Sequence, residues 1–280
     1  MKKPAINRYI SDKEAFETIK TDFGFLVEKI KASGFEYDLQ IRDGYFNLYY
    51  KGNSIGEISF KKSRQQYRIK IHEKFVNDKI KKRFNPALKN GYLVFNIPRN
   101  QLHPLYSSEN LKSMTRMVKM VDFQEEIIYE QMLMTDNVNR DDLIIIDRQV
   151  KDRISSTKMD LLALQERKYN DYQFCIIEVK LGNNPELSGD VITQLKGYVK
   201  RIEDNFEDYK MCYEQNFAQK RELGLFIRPN NIKIVPGVLS VIVVMGYSGL
   251  ANQSIKALKQ KDPSIKVIQL SNKIDIKKLG

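Results

Sequence analysis

Apolar residues in the first part of the chain keep two different spacings in turn. Ala15, Ile19, Phe23, Leu26 and Ile30 recur three or four apart, which predicts one buried face of a helix. The preceding Ser11-Asp12-Lys13-Glu14 has the form of a capping box, and Gly34 supplies a stop. Four short strand-like segments follow, at 37–42, 45–51, 55–61 and 67–72. Asp43-Gly44 is a hairpin turn signal, and Gly52-Asn53 and Ser63-Arg64 are further turns. A helix plus an antiparallel meander is therefore expected, continued by an apolar run at 93–97 that ends in Pro98. The polar stretch at 99–110 marks the expected domain boundary.

Beyond residue 110 the rhythm changes. A long helical pattern at 111–134 leads into strand candidates at 143–150, 158–164 and 173–181. A helix is expected from Pro185 past Tyr198 to about Phe217, then a buried strand at 238–245, a helix at 248–259 and a last strand at 265–270. The order is α-β-β-β-α-β-α-β, without an internal repeat or a low-complexity segment. The expected fold class is α/β, with a separate N-terminal α+β domain at 1–110 and a second domain at 111–280.

A chain of 280 residues with 42% hydrophobic and 29% charged residues can bury a full core and is not of disordered type. The amino terminus lacks the apolar stretch of a signal peptide, and the longest apolar run, 238–246, is too short to cross a bilayer. Cys175 and Cys212 form no CxxC pair, so neither a zinc knuckle nor a disulfide framework is expected. A cytoplasmic protein with reduced cysteines and no membrane partner is the expectation. His72 and His103 are the only histidines and have no metal-ligand spacing, which argues against zinc hydrolase sites.

Net charge is +12, and residues 1–110 hold 21 Lys and Arg against 12 Asp and Glu. That excess points to an acidic partner, nucleic acid being the commonest. Lys61, Lys62, Arg64, Arg68, Lys81, Lys82 and Arg83, interleaved with Tyr67, Phe75 and Phe84, are the candidate backbone-binding residues. Gly246-Tyr247-Ser248-Gly249 lacks the spacing of a phosphate-binding loop and reads as a strand-to-helix turn.

The strand at 173–181 carries an energetic oddity. Phe174-Cys175-Ile176-Ile177-Glu178-Val179-Lys180 is apolar on both faces, as in a central strand, yet Glu178 and Lys180 share one face. Buried charges need a partner, a metal or a ligand. Asp160, within the apolar run Met159-Asp160-Leu161-Leu162, supplies a second carboxylate on a strand that can lie alongside. Two close carboxylates repel, and a shared Mg²⁺ or Mn²⁺ relieves that repulsion. A Glu-x-Lys triplet alone is common by chance; its context gives it weight.

Asp160…Glu178-Val179-Lys180 resembles the catalytic signature of the PD-(D/E)xK nuclease superfamily, with its restriction-endonuclease-like αβββαβ core. Gln194-Leu195-Lys196-Gly197-Tyr198 is similar to the Gln-x-x-x-Tyr motif of the RecB/NucS-like branch, and residues four apart share a helical face. The resemblance covers about 111–270. It implies metal-dependent hydrolysis of DNA, in a setting such as phage defence, DNA repair or mobile-element biology. Asp160, Glu178 and the Val179 backbone carbonyl would be metal ligands, Lys180 would position the water, and Gln194 and Tyr198 would support the site. The superfamily adds a Glu from the first core helix, for which Glu125 is preferred, then Glu126, with Glu130 on the other edge of the apolar stripe. Met159 stands where the name-giving Pro would be, and a four-cysteine iron–sulfur cluster is impossible here. An RNase or a non-catalytic nucleic-acid-binding scaffold on the same fold stays open, as does a homo-oligomer.

Overall fold

The computed structural model describes residues 3–121, 125–138, 140–168 and 170–270. They form a mixed α/β structure of two compact units. One unit comprises Asn7–Ile127 with Cys212–Arg228; the other comprises the residues before Asn7, Ile128–Met211 and the chain from Pro229 on. The division differs from a single cut at 110.

The N-terminal unit opens with α1 (Lys13–Ala32), whose Phe16, Ile19, Phe23, Leu26, Val27 and Ile30 are buried. Its cap is Asp12, whose carboxylate accepts from the Ala15 N–H at 3.0 Å, in place of the expected Ser11 box. Gly34 adopts φ +64°, and the next N–H, of Phe35, donates back to the Ile30 carbonyl at 3.0 Å, closing the helix. The expected strands appear as β1 (Tyr37–Arg42), β2 (Tyr45–Tyr50), β3 (Asn53–Lys61) and β4 (Gln66–His72). Then come α2 (Asp78–Phe84), β5 (Ala87–Lys89), β6 (Tyr92–Pro98) and α3 (Leu102–Leu105). The antiparallel order is β1-β2-β3-β4-β6-β5. The short α2 and β5 were not anticipated, because α2 buries only Ile80 and β5 is exposed throughout.

The core of this unit explains why 110 is not its boundary. Helix α4 (Ser108–Met120) adds Leu111, Met114 and Val118 to the core built on α1 and the sheet. Leu223 and Leu225, from far along the chain, join the same core. Gln219 accepts from the Ile10 N–H at 2.9 Å and donates to the Ile10 carbonyl at 2.7 Å, satisfying both backbone groups of that residue.

In the C-terminal unit, α5 (Glu125–Asp136) carries its last nine residues and precedes β7 (Leu143–Val150), β8 (Met159–Lys168) and β9 (Asp171–Leu181). The single helix expected at 111–134 is thus two, α4 and α5. The helix expected from Pro185 is also divided: a short 3₁₀ turn at Pro185–Ser188, then α6 (Asp190–Asp204) and α7 (Phe206–Glu222), with Asn205 between them. The described residues finish with β10 (Lys233–Met245), α8 (Ser248–Lys261) and β11 (Val267–Leu270). Strand order is β11-β10-β9-β8-β7; β7, β8 and β9 run antiparallel, and β10 and β11 parallel to β9. β9 is therefore the central strand, as its doubly apolar pattern requires.

Gly182, just past β9, is locked in place. Its N–H donates to Met245 O at 2.9 Å, and a Cβ there would lie 2.5 Å from the Gly246 carbonyl and 2.8 Å from the Ala251 Cβ. Gly182→Ala is expected to lower stability by about 1–3 kcal/mol through overpacking against backbone. An unchanged urea midpoint would contradict that close approach.

Candidate metal and hydrolysis centre

The ladder between β8 and β9 runs Leu161 against Ile177 and Leu162 against Ile176. One residue further, Asp160 comes level with Glu178. Alternation along the strand puts Ile177 and Val179 into a core with Leu161, Ala163 and Val243, and turns Glu178 and Lys180 to the opposite face. Asp160 also accepts the Val179 N–H at 3.0 Å, which ties the end of β8 to β9 where the regular ladder stops.

Glu178 is 1% exposed. The Lys180 ammonium stands 2.9 Å from its Oε1 as an ion pair, without hydrogen-bond alignment, and Oε2 has no hydrogen-bond partner. Burial, then the charge of Asp160, pushes the Glu178 carboxyl well above the usual carboxylate range, against the pull of Lys180. On its other side Lys180 lies 2.8 Å from Glu186 Oε2, in the turn after β9. Burial works to discharge the lysine, but Glu178, Glu186 and Asp160 together outweigh it and hold the ammonium charged.

Gln194 and Tyr198 meet as their spacing predicts. Gln194 Nε2 donates to Tyr198 Oη at 2.8 Å, and the buried hydroxyl donates to the Lys158 carbonyl at 2.5 Å. Burial raises the Tyr198 phenol, with Glu178 and Asp160 adding to the shift. This pair anchors α6 to the residue before β8 and so fixes the strand that carries Asp160.

The α5 carboxylate brought under the influence of Asp160 is Glu130; Glu125 and Glu126 stand in the helix's first turn, Glu125 exposed. Glu130 accepts from Arg148 Nη2 at 3.0 Å and Gln149 Nε2 at 2.8 Å, and Arg148 Nη1 donates to Gln131 Oε1 at 2.7 Å. Arg148 is fully buried and was missed at the sequence level. The signal was there: Asp147 and Arg148 interrupt the apolar run Ile144-Ile145-Ile146 as Glu178 and Lys180 interrupt β9.

Burial, with the Asp160 charge, raises the Glu130 carboxyl to about 7 despite Arg148 and Gln149. Glu130 thus keeps a proton in the fold that the unfolded chain loses near its ordinary value of 4.5. Unfolding releases that proton, so its contribution makes stability fall as pH rises from about 4.5 through 7. Urea midpoints at pH 5 and pH 8 check this, and Glu130→Gln is expected to flatten the slope.

Among the described residues no group of three or more His, Cys, Asp or Glu side chains is arranged to hold a metal ion. The donors at the end of β9 are two carboxylates, Asp160 and Glu178. They are hard oxygen ligands, and the buried, unpartnered Glu178 Oε2 fits a divalent cation.

The candidate nucleic-acid residues lie in the other unit, on different elements. Lys61, Lys62 and Arg64 are exposed where β3 passes to β4, Arg68 is half-buried on β4, and Lys81, Lys82 and Arg83 belong to α2. Several have local partners. Lys62 reaches Glu14 at 2.7 Å and Asp12 at 3.1 Å, Lys81 reaches Asp78 at 3.4 Å, and the Arg83 guanidinium lies over the Phe84 ring. Both cysteines are buried thiols outside any disulfide, and Gly246-Tyr247 forms the expected turn from β10 into α8. No described helix is long and apolar enough to cross a membrane. The chain matches no family model, and comparison with curated proteins and with solved structures returns no match.

Proposed function

We propose that the protein is a metal-dependent nuclease that hydrolyses DNA phosphodiester bonds at the end of β9. The observation carrying this reading is the buried Glu178–Lys180 pair level with Asp160 on the neighbouring strand. The element order α5-β7-β8-β9-α6-α7-β10 supports it, because it follows the αβββαβ core of the PD-(D/E)xK superfamily with one helix, α7, added before β10.

Asp160 and Glu178, with the Val179 carbonyl, would hold Mg²⁺ or Mn²⁺, and their mutual repulsion is what such an ion relieves. The bound ion supplies stabilisation of charge on the scissile phosphate and a more acidic attacking water. Lys180, held between two carboxylates and charged, donates a hydrogen bond that orients the water for in-line attack. Gln194 and Tyr198 act by positioning, through the start of β8. Glu130 is the helix carboxylate with the best claim to a supporting role, on its burial and its interaction with Asp160. The basic residues of the N-terminal unit would contact DNA phosphates, and that binding would weaken with added salt.

Plasmid and linear DNA, with RNA in parallel, are incubated with Mg²⁺ or Mn²⁺ and the wild type, Asp160→Ala or Lys180→Ala. Cutting of DNA by the wild type alone is expected. No cutting under any metal or substrate removes the nuclease reading, and preferential cutting of RNA replaces DNA as the substrate.

A further inference from the structure

The 3₁₀ turn Pro185–Ser188 has two working sides. One presents Glu186 to Lys180 at 2.8 Å. The other lines a groove of about 390 Å³ with α8, where Asn183, Pro185, Leu187, Leu250, Gln253 and Ser254 are among the lining residues. The groove therefore begins within one residue of the ion pair at the proposed reacting centre.

Its chemistry is selective. Among the described residues that line it there is no Lys, Arg, Asp or Glu. Leu250 is 53% exposed on α8, an apolar surface beside a rim of side-chain amides and hydroxyls. A phosphate group needs free cations or a nest of N–H donors, whereas the Lys261 ammonium beside the groove is engaged by the Ser188 carbonyl and Lys180 is paired with Glu186. A nucleobase has the complementary form: a flat apolar face to pack against Leu250 and Pro185, and edges that amides read.

We propose that this groove holds the base of the nucleotide next to the bond that is cut, an assignment resting on the nuclease reading. A base stacked on both sides in a duplex cannot enter it, so the favoured substrate is single-stranded or locally unstacked DNA. Asn183 and Gln253 are then specificity-determining residues.

The full-length wild type is titrated, with EDTA present to prevent cutting, against a labelled short DNA single strand. The same strand carrying an abasic site at each position in turn, and the matched duplex, complete the set. Abasic substitution at one or two adjacent positions is expected to weaken binding about tenfold. The duplex binds more weakly than the single strand, and both Leu250→Asp and Gln253→Ala shrink the abasic effect. A flat abasic scan, no binding at all, or an abasic effect undiminished in both variants overturns the proposal. Plasmid cutting by the wild type with a flat scan overturns the groove assignment alone. A protein that cuts nothing yet shows the position-specific loss keeps the base site and loses the nuclease reading.

Discussion

Lys180→Ala is expected to lower DNA cutting by about a thousandfold, the scale seen when one preorganised donor to a reacting oxygen is lost. The ammonium is held by Glu178 at 2.9 Å and Glu186 at 2.8 Å, with Lys180 and Glu178 themselves buried. Little reorganisation is then needed when a water and a phosphate arrive. Lys180→Arg restores charge but not a compact ammonium in that gap, so only a small part of the activity returns. Circular dichroism and a urea midpoint for each variant separate lost chemistry from lost folding. A Lys180→Ala protein that folds and cuts within tenfold of wild type would remove Lys180 from the mechanism.

Arg148→Ala carries the largest expected loss of stability, about 3–5 kcal/mol. It removes a fully buried guanidinium that donates to Glu130 at 3.0 Å and to Gln131 at 2.7 Å, and leaves the Glu130 carboxylate buried beside the charge of Asp160. The loss has a pH signature. Below about 7 Glu130 takes up a proton and sheds its charge, so the penalty is larger at pH 8 than at pH 5. Arg148→Met combined with Glu130→Gln removes both charges and is expected to cost less than the single change. Urea denaturation at the two pH values measures all of these; equal penalties at both would show that the lost ion pair is not the cause.

The residues at the centre of the candidate site were readable because they break a local pattern. Glu178 and Lys180 interrupt a doubly apolar strand, Asp160 interrupts the one before it, and Gln194 and Tyr198 lie one helical turn apart; each is visible within about ten residues of chain. The helix acid was not readable in the same way. Glu125 and Glu130 flank opposite edges of a weak apolar stripe and Glu126 points furthest from it, and what sets Glu130 apart is Arg148, whose strand lies beyond α5. Glu186 gives no signal at all, since an acid in a turn is ordinary until Lys180 is seen beside it.

Helix limits divide in the same manner. Gly34 ends α1 as its conformational freedom predicts, but Asp12 in place of Ser11 caps it, a choice between adjacent residues that propensity does not resolve. The long pattern at 111–134 is continuous in apolar spacing. The break between α4 and α5 comes from each half having its own core to meet, Leu111, Met114 and Val118 in one unit and Tyr129 and Leu133 in the other.

By itself the sequence determined the order of the longer strands, the centrality of β9 and the pairing of a Glu and a Lys with an upstream Asp. Those follow from periodicity and from the cost of burying charge, which are local. Only the tertiary structure decided that residues 212–228 belong with the N-terminal unit, that Glu130 and Arg148 form a buried pair, and that Glu186 completes the cage around Lys180. An apolar helical face records that it is buried but not against which partner. A charged side chain likewise carries no record of which distant strand will neutralise it.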